Sequence, residues 1–251
     1  MTLDSYIICG TPRTGSTLLC DLLAKTNRAG RPDSFYGGAF RGDWAKEWKL
    51  PEPGTMDRAA YERLYLDTAI RKGTGDTPIF GLRLMREDVA NLSDLLNLVY
   101  PGFSADSARF ERAFGRCLYI HLNRADKLAQ AVSYIKARQS GLWHIAPDGT
   151  EIERLGEPQP LRYDYGQIRA ETKRLEAFEQ DWQAWFEAEN IRPIRISYEA
   201  LALEPASTLI DLCAALGIEP PGRTEIMPGV APLADAINAD WIARYRAENG
   251  C

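Results

Sequence analysis

Four short apolar runs recur along the chain: Tyr6-Ile-Ile-Cys9, Ile79-Phe-Gly-Leu-Arg-Leu-Met85, Arg116-Cys-Leu-Tyr-Ile-His-Leu122 and Ile194-Arg-Ile-Ser-Tyr198. Each is rich in β-branched or aromatic residues and bounded by polar or turn-forming positions, which predicts strands. Between them the period changes. Apolar residues at helical spacing predict helices over 16–24, 57–71 (with Asp57 as cap and Tyr61, Leu64, Tyr65 and Thr68 near one face) and 88–99. Further helices are expected over 127–139, 165–190, 207–216 (closed by Gly217) and 235–248. The polar run 102–115 reads as a connection. Segments 27–56 and 140–165 are dense in Gly, Pro and charge, and Pro147-Asp148-Gly149 marks a small hairpin turn in the second. Strands alternating with helices imply an α/β fold, one domain over 1–251 with a central, mainly parallel sheet. The two long connections become expected lids over a site.

Composition narrows the function classes. The chain has 251 residues, 45% hydrophobic and 26% charged, with a formal net charge of −5. A broad basic face for nucleic acid is therefore not expected. No apolar run approaches the roughly 20 residues needed to cross a bilayer. No basic stretch precedes an apolar one at the N-terminus, so the expected location is the cytoplasm. Cys9 and Cys117 fall in strand-like runs, Cys20 and Cys213 in helix-like runs, and Cys251 ends the chain. Scattered single cysteines on apolar elements read as buried reduced thiols. With only two histidines, His121 and His144, and no Cys/His cluster, no metal site is expected.

The first strand carries the chemistry. Gly10 and Gly15 are separated by four residues and followed by Ser16-Thr17, the spacing of a phosphate-binding loop in which Ser16 stands at the lysine position. Strand, glycine-bearing loop and helix follow in the order that aims backbone N–H groups at an anion. The bland alternative is a strand-to-helix turn with no ligand. A nucleoside triphosphatase needs that lysine and an acidic residue for magnesium, whereas the third strand runs into Asn123. A loop with Arg13 and no lysine suits a shorter anion, such as a 5′-phosphate bearing a transferable group. Arg124, just past the third strand, and Ser133, seven residues beyond the expected cap Asp126, form a second expected anion site on one strand–helix unit.

With those residues in view, Thr11-Pro-Arg-Thr-Gly-Ser-Thr-Leu-Leu19 resembles the 5′-phosphosulfate loop of sulfotransferases that use 3′-phosphoadenosine 5′-phosphosulfate (PAPS). Asn123-Arg-Ala-Asp-Lys-Leu-Ala-Gln-Ala-Val-Ser133 resembles their 3′-phosphate motif. Ala29-Gly-Arg-Pro-Asp-Ser-Phe-Tyr36, Gly81-Leu-Arg-Leu-Met85, Trp182-Gln-Ala-Trp-Phe186 and Asp240-Trp-Ile-Ala-Arg-Tyr245 are similar to the bacterial Stf0 branch. The resemblance implies a three-layer, P-loop-like fold and sulfuryl transfer from PAPS to a hydroxyl of a carbohydrate or glycolipid acceptor. It also implies a homodimer. Arg13, Thr14, Gly15, Ser16 and Thr17 are then implied to hold the 5′-phosphosulfate, and Arg124 and Ser133 the 3′-phosphate. Two alternatives remain open: a P-loop nucleotide kinase or triphosphatase, and a PAPS-fold ligand-binding protein without transfer.

One departure from the branch stands out. Ser34 occupies the position of a glutamate proposed as general base in trehalose-sulfating members, and Asp33 precedes it. Asp33 and Ser34, with Arg13, are the expected catalytic residues: Arg13 for charge on the leaving phosphate, Asp33 as base. An Asx-type turn is the structural alternative for Asp33. His144 is a second expected base, while His121 reads as a packed core residue. Arg83 matches a family lysine and reads as an ion-paired or site arginine. Trp44, Trp48 and Trp143 are expected in loops, Trp182, Trp185 and Phe186 in the core, and Trp241 with Arg244 over the nucleotide.

Overall fold

The computed structural model describes residues 3–38 and 40–250, so Cys251 lies outside the described residues. The elements run β1 (Ser5–Gly10), α1 (Ser16–Lys25), α2 (Arg41–Glu47), α3 (Arg58–Thr74), β2 (Phe80–Met85), α4 (Val89–Val99), α5 (Asp106–Phe114) and β3 (Cys117–Asn123). They continue α6 (Lys127–Ser140), β4 (Leu142–Ile145), β5 (Glu151–Arg154), α7 (Tyr165–Ala188), β6 (Ile194–Ser197), α8 (Tyr198–Leu203), α9 (Pro205–Leu216) and α10 (Ala236–Glu248).

Four strands form one parallel sheet in the order β2-β1-β3-β6, as the alternation requires. β1 lies inside it and is buried along its whole length. Its side chains alternate between two cores, as the two-residue period of a strand demands. Ile7 and Cys9 join Tyr65, Leu92, Phe110, Trp182 and Phe186 beneath α3, α4, α5 and α7. Tyr6 and Ile8 join Leu19, Leu23, Leu201 and Leu212 beneath α1, α8 and α9. The result is a three-layer α/β architecture. A smaller cluster of Val132, Ile135, Ile168 and Trp241 binds α6, α7 and α10 together.

Caps and turns fall where the residue chemistry places them. Asp57 accepts from the Ala60 amide and Asp126 from the Ala129 amide, while Gly217 ends α9 at φ 71°. β4 and β5 form an antiparallel hairpin across residues 146–150.

Three helices depart from the sequence expectation. α5 fills the run read as a connection; its buried face holds Phe110 and Phe114 but also Arg109, which reaches Asp106 and the Phe103 carbonyl. A buried arginine breaks the apolar period that would have revealed the helix. α8 begins at Tyr198, taken for the end of a strand, because the Ser197 hydroxyl caps it by accepting from the Ala200 amide. α2 and its end carry Trp44 and Trp48, which stack on each other at 5.5 Å and flank Phe35 rather than lying in a loop. Trp143 is on β4. The segment before α2 runs beside the sheet, with a parallel bridge between Asp33 and Leu82.

Candidate active site

The carboxyl ends of the parallel strands open onto one side, where ligands of such sheets bind. β1 ends there in the loop 11–15. Gly15 sits at φ 82°, where a Cβ would meet the Tyr198 ring at 2.7 Å, so glycine is required both by conformation and by space. α1 starts at Ser16 with no side chain capping it, which leaves its first N–H groups directed at the loop's concavity. Four hydrogen bonds, three of them fully buried, fix the loop. Thr14 Oγ1 donates to the Thr11 carbonyl at 2.8 Å, and Gln130 Nε2 donates to Thr11 Oγ1 at 2.9 Å and to the Pro12 carbonyl at 2.7 Å. The Trp182 indole donates to the Gly10 carbonyl at 3.0 Å.

Arg13 takes positive φ (67°) and sends its guanidinium across to α6 and β4. Nε donates to Ser133 Oγ at 3.1 Å and Nη1 to the Trp143 carbonyl at 2.7 Å. Arg124 leaves the end of β3, lies 4.4 Å over the Tyr198 ring, and donates to the Arg13 carbonyl at 3.3 Å. Its Nε is buried without a partner. Among the described residues neither guanidinium has a carboxylate within ion-pair distance. Burial, and then the facing charge of Arg124, push Arg13 down to about 10; burial also lowers Arg124. Two like charges are thus held side by side in a sheltered place, which is costly unless an anion completes it.

Arg83, on β2, forms a second knot. Nε donates to Ser34 Oγ at 2.8 Å, Nη1 to Thr17 Oγ1 at 2.8 Å, and Nη2 to Asp33 Oδ1 at 2.9 Å. The same Asp33 oxygen accepts from the Ser34 amide at 2.7 Å. On the β4–β5 hairpin, His144 Nδ1 and Glu153 Oε2 are 2.6 Å apart. The His144 hydrogen bond holds the Glu153 carboxyl below the usual carboxylate range, with Arg83 and Arg13 adding to the effect.

Two cavities meet here. One, of about 490 Å³, is lined by the phosphate loop, Arg124, Ser133, Trp143 and Tyr198, and by an apolar strap over 228–234. The other, of about 820 Å³, is lined by Asp21, Arg31, Asp33, Asp43, Trp44 and neighbours. Thr17, Ser34, Arg83, His144 and Glu153 border both. One chamber is cationic at its loop and apolar at its roof; the other is polar with an aromatic wall.

A model of the Stf0 sulphotransferase family matches residues 5–248. The chain belongs to the Stf0 sulphotransferase family. Two relatives of this Stf0 sulphotransferase are trehalose 2-sulfotransferases. That of Mycobacterium tuberculosis is 28% identical over 97% of this chain and 94% of its own length. That of Mycolicibacterium smegmatis is 27% identical over 97% and 95%. The sulfotransferase domain from the Synechococcus PCC 7002 olefin synthase overlays with a TM-score of 0.41 at 17% identity, covering 98% of this chain and 88% of that one. Among the described residues, no helix of this Stf0 sulphotransferase is long and apolar enough to cross a membrane.

The residues expected from sequence do converge: Arg13, Gly15, Ser16, Thr17, Ser34, Arg124 and Ser133 line one cavity, with the buried Thr14 beneath it and Asp33 in the adjoining one. Asp33 is bridged to Leu82 through its backbone and ion-paired to Arg83 through its side chain. His121 is buried as expected, between Arg195 and Glu179. Trp241 does not close over the cavity: it is buried against α6 and α7, and Arg244 stacks on Tyr163 at 4.1 Å. Sequence reasoning missed Gln130, Tyr198 and Glu153. Gln130 is a fully buried polar residue on α6. Tyr198 was hidden by the strand assignment, and Glu153 becomes visible only through hairpin register.

Proposed function

We propose that this protein transfers a sulfuryl group from PAPS to a hydroxyl of a small carbohydrate or a glycolipid headgroup. The observation that carries the proposal is the pair of sheltered guanidiniums, Arg13 and Arg124, which among the described residues have no carboxylate within ion-pair distance, beside a lysine-free phosphate loop. A ligand with two separated phosphate groups fits them. The loop N–H groups with Thr14, Gly15, Ser16 and Thr17 face the 5′ side, and Arg124 with Ser133 the 3′ side. The orphaned Nε of Arg124 is a donor awaiting an acceptor. PAPS supplies, when bound, an activated sulfuryl group on a phosphate leaving group.

The chain's own residues perform the rest. Arg13 and the α1 amides offset charge that builds on the leaving phosphate. Arg83, held by Thr17, Ser34 and Asp33 on the border between the chambers, stands where a sulfuryl group in transit needs a cation. Asp33 and Ser34 thereby act as positioning residues for Arg83. The polar second chamber, with Trp44 in its wall, suits a sugar. Segment 27–56 supplies much of that wall and 140–165 the opposite corner, so the whole chain acts as one sulfotransferase domain.

The similarity to trehalose 2-sulfotransferases makes trehalose the first acceptor to assay, and Ser34 is a reason to continue to other sugars and glycolipids. Thermal unfolding with 3′-phosphoadenosine 5′-phosphate (PAP) tests donor binding. A rise in Tm that Arg13→Ala or Arg124→Ala removes is expected; no rise at millimolar PAP would sink the proposal. Labelled-PAPS transfer across an acceptor panel then separates an enzyme from a binder.

A further inference from the structure

We propose that His144, oriented by Glu153, accepts the proton of the acceptor hydroxyl. The inference rests on the sulfotransfer reading above and adds the group that reading lacks. A hydroxyl attacking sulfur must sit where the two chambers meet, and the shared border is Thr17, Ser34, Arg83, His144 and Glu153 with the apolar Phe40 and Val230. Arg83 carries its proton permanently. The hydroxyls of Thr17 and Ser34 already accept from Arg83 and are poor bases. Asp33 is ion-paired to that same arginine through the oxygen that also receives the Ser34 amide.

His144 is different. Because the Glu153 carboxylate lies 2.6 Å from Nδ1, that nitrogen bears the hydrogen and the lone pair is left on Nε2. Among the described residues nothing engages Nε2.

The hairpin is built to hold the pair. His144 and Glu153 are register partners across β4 and β5, and pairing is irregular on both sides of His144, a bulge of the kind that re-aims a side chain. Arg13 bonds the Trp143 carbonyl on one flank of the histidine, and the Ala231 amide bonds the Ile145 carbonyl on the other at 2.8 Å. The donor loop and the strap thus position the base directly. His144 contacts Glu153 of β5 and shares its cavity with Arg13 of the phosphate loop and Arg83 of β2. Ser133 and Tyr134 of α6 and Val230 and Ala231 of the strap line the same cavity.

In the step, the acceptor O–H proton passes to Nε2 while its oxygen bonds to sulfur. The bond from sulfur to the phosphate oxygen breaks, and its electron pair leaves with PAP. Glu153 stabilises the imidazolium until the proton passes to water.

Three variants of the full chain test this. His144→Gln is expected to lower kcat by about 100-fold or more while the PAP-induced rise in Tm is unchanged. Glu153→Gln, a change in a positioning residue, is expected to lower kcat less. Asp33→Asn should lower kcat less than His144→Gln does. Independently of turnover, 15N imidazole NMR on the two histidines should show the resonances that vanish in His144→Gln to be the Nδ1–H tautomer. Transfer within about threefold of the parent in His144→Gln, with PAP bound normally, overturns the proposal. So does a proton found on Nε2, or a kcat that falls further in Asp33→Asn than in His144→Gln. Failure of the parent chain to bind PAP is a different result: it overturns the donor reading and this inference with it.

Discussion

Arg13 and Arg124 show at the level of single side chains that the site is built against stability. Each is half-buried, each is lowered as a base by desolvation, and among the described residues neither has a carboxylate within ion-pair distance. Replacing one by an apolar residue removes a desolvated charge and a repulsion, at the loss of hydrogen bonds from a charged donor worth about 1.5–3 kcal/mol apiece when fully engaged. Arg13→Met is therefore expected to leave the ligand-free Tm close to the parent's while abolishing the PAP-induced rise. Calorimetry with and without PAP measures both, and a large fall in the ligand-free Tm would refute the trade-off. His121 makes the companion case for a group the chemistry does not use. Burial, opposed by Glu179 Oε1 at 3.4 Å from Nε2, lowers its proton affinity. The unfolded chain then takes up a proton below about pH 6.5 that folded His121 resists, so this stability is full above that pH and is lost as pH falls. The stability difference between the parent and His121→Gln should accordingly narrow from pH 7.5 to pH 5 in urea unfolding. Widening would mean that Glu179 outweighs burial.

At the scale of elements, what could be read in advance was whatever depends on local period. Tyr6-Ile-Ile-Cys9 alternates between two cores as a central strand must, and Asp57, Asp126 and Gly217 end their helices through local chemistry. What escaped depends on partners far along the chain. α5 is stabilised by Arg109 against Asp106 and by Phe110 and Phe114 under β1, so its pattern looks polar in isolation. The same division holds for the site. The phosphate loop and Arg124 announce themselves by spacing and position, whereas the clamp on that loop is Gln130, whose significance lies 119 residues away at Thr11. That clamp can be tested. Gln130→Met keeps the volume but strands Thr11 Oγ1 and the Pro12 carbonyl, with an expected loss of about 1–3 kcal/mol. Because the loop is then free to move, PAP affinity should fall with stability. Unchanged PAP affinity despite a lowered Tm would show that the clamp serves the fold alone.

On the scale of the whole molecule, the roof of the cavity beside the phosphate loop comes from residues 228–234 and is fastened to α1 and α6. Lys25 of α1 bonds the Met227 carbonyl at 3.0 Å, and Asp21 accepts from the Gly229 amide at 2.7 Å. At the other end Lys136 of α6 reaches Asp235 at 2.6 Å, Asn238 Oδ1 at 2.9 Å and the Leu233 carbonyl at 3.1 Å. Between these fastenings the strap over 228–234 covers the phosphate loop and pairs with β4 through Ala231 and Ile145. One half-buried ammonium group therefore joins α6, which carries Ser133, to the cap of α10. Lys136→Met retains the apolar stem and removes the three polar contacts, each a hydrogen bond to or from a charged group worth about 1.5–3 kcal/mol when fully engaged. Asp235 is half exposed and returns to water at little cost, which places the net loss near the bottom of that range. For a chain of this length such a loss lowers Tm by a few degrees, at about 2–4 °C per kcal/mol. The strap then opens more often without any change in the groups that contact sulfur, so the KM for PAPS should rise several-fold while kcat changes little. A fall in kcat at constant KM would instead mean that the roof, through Ala231 and β4, sets the orientation of His144.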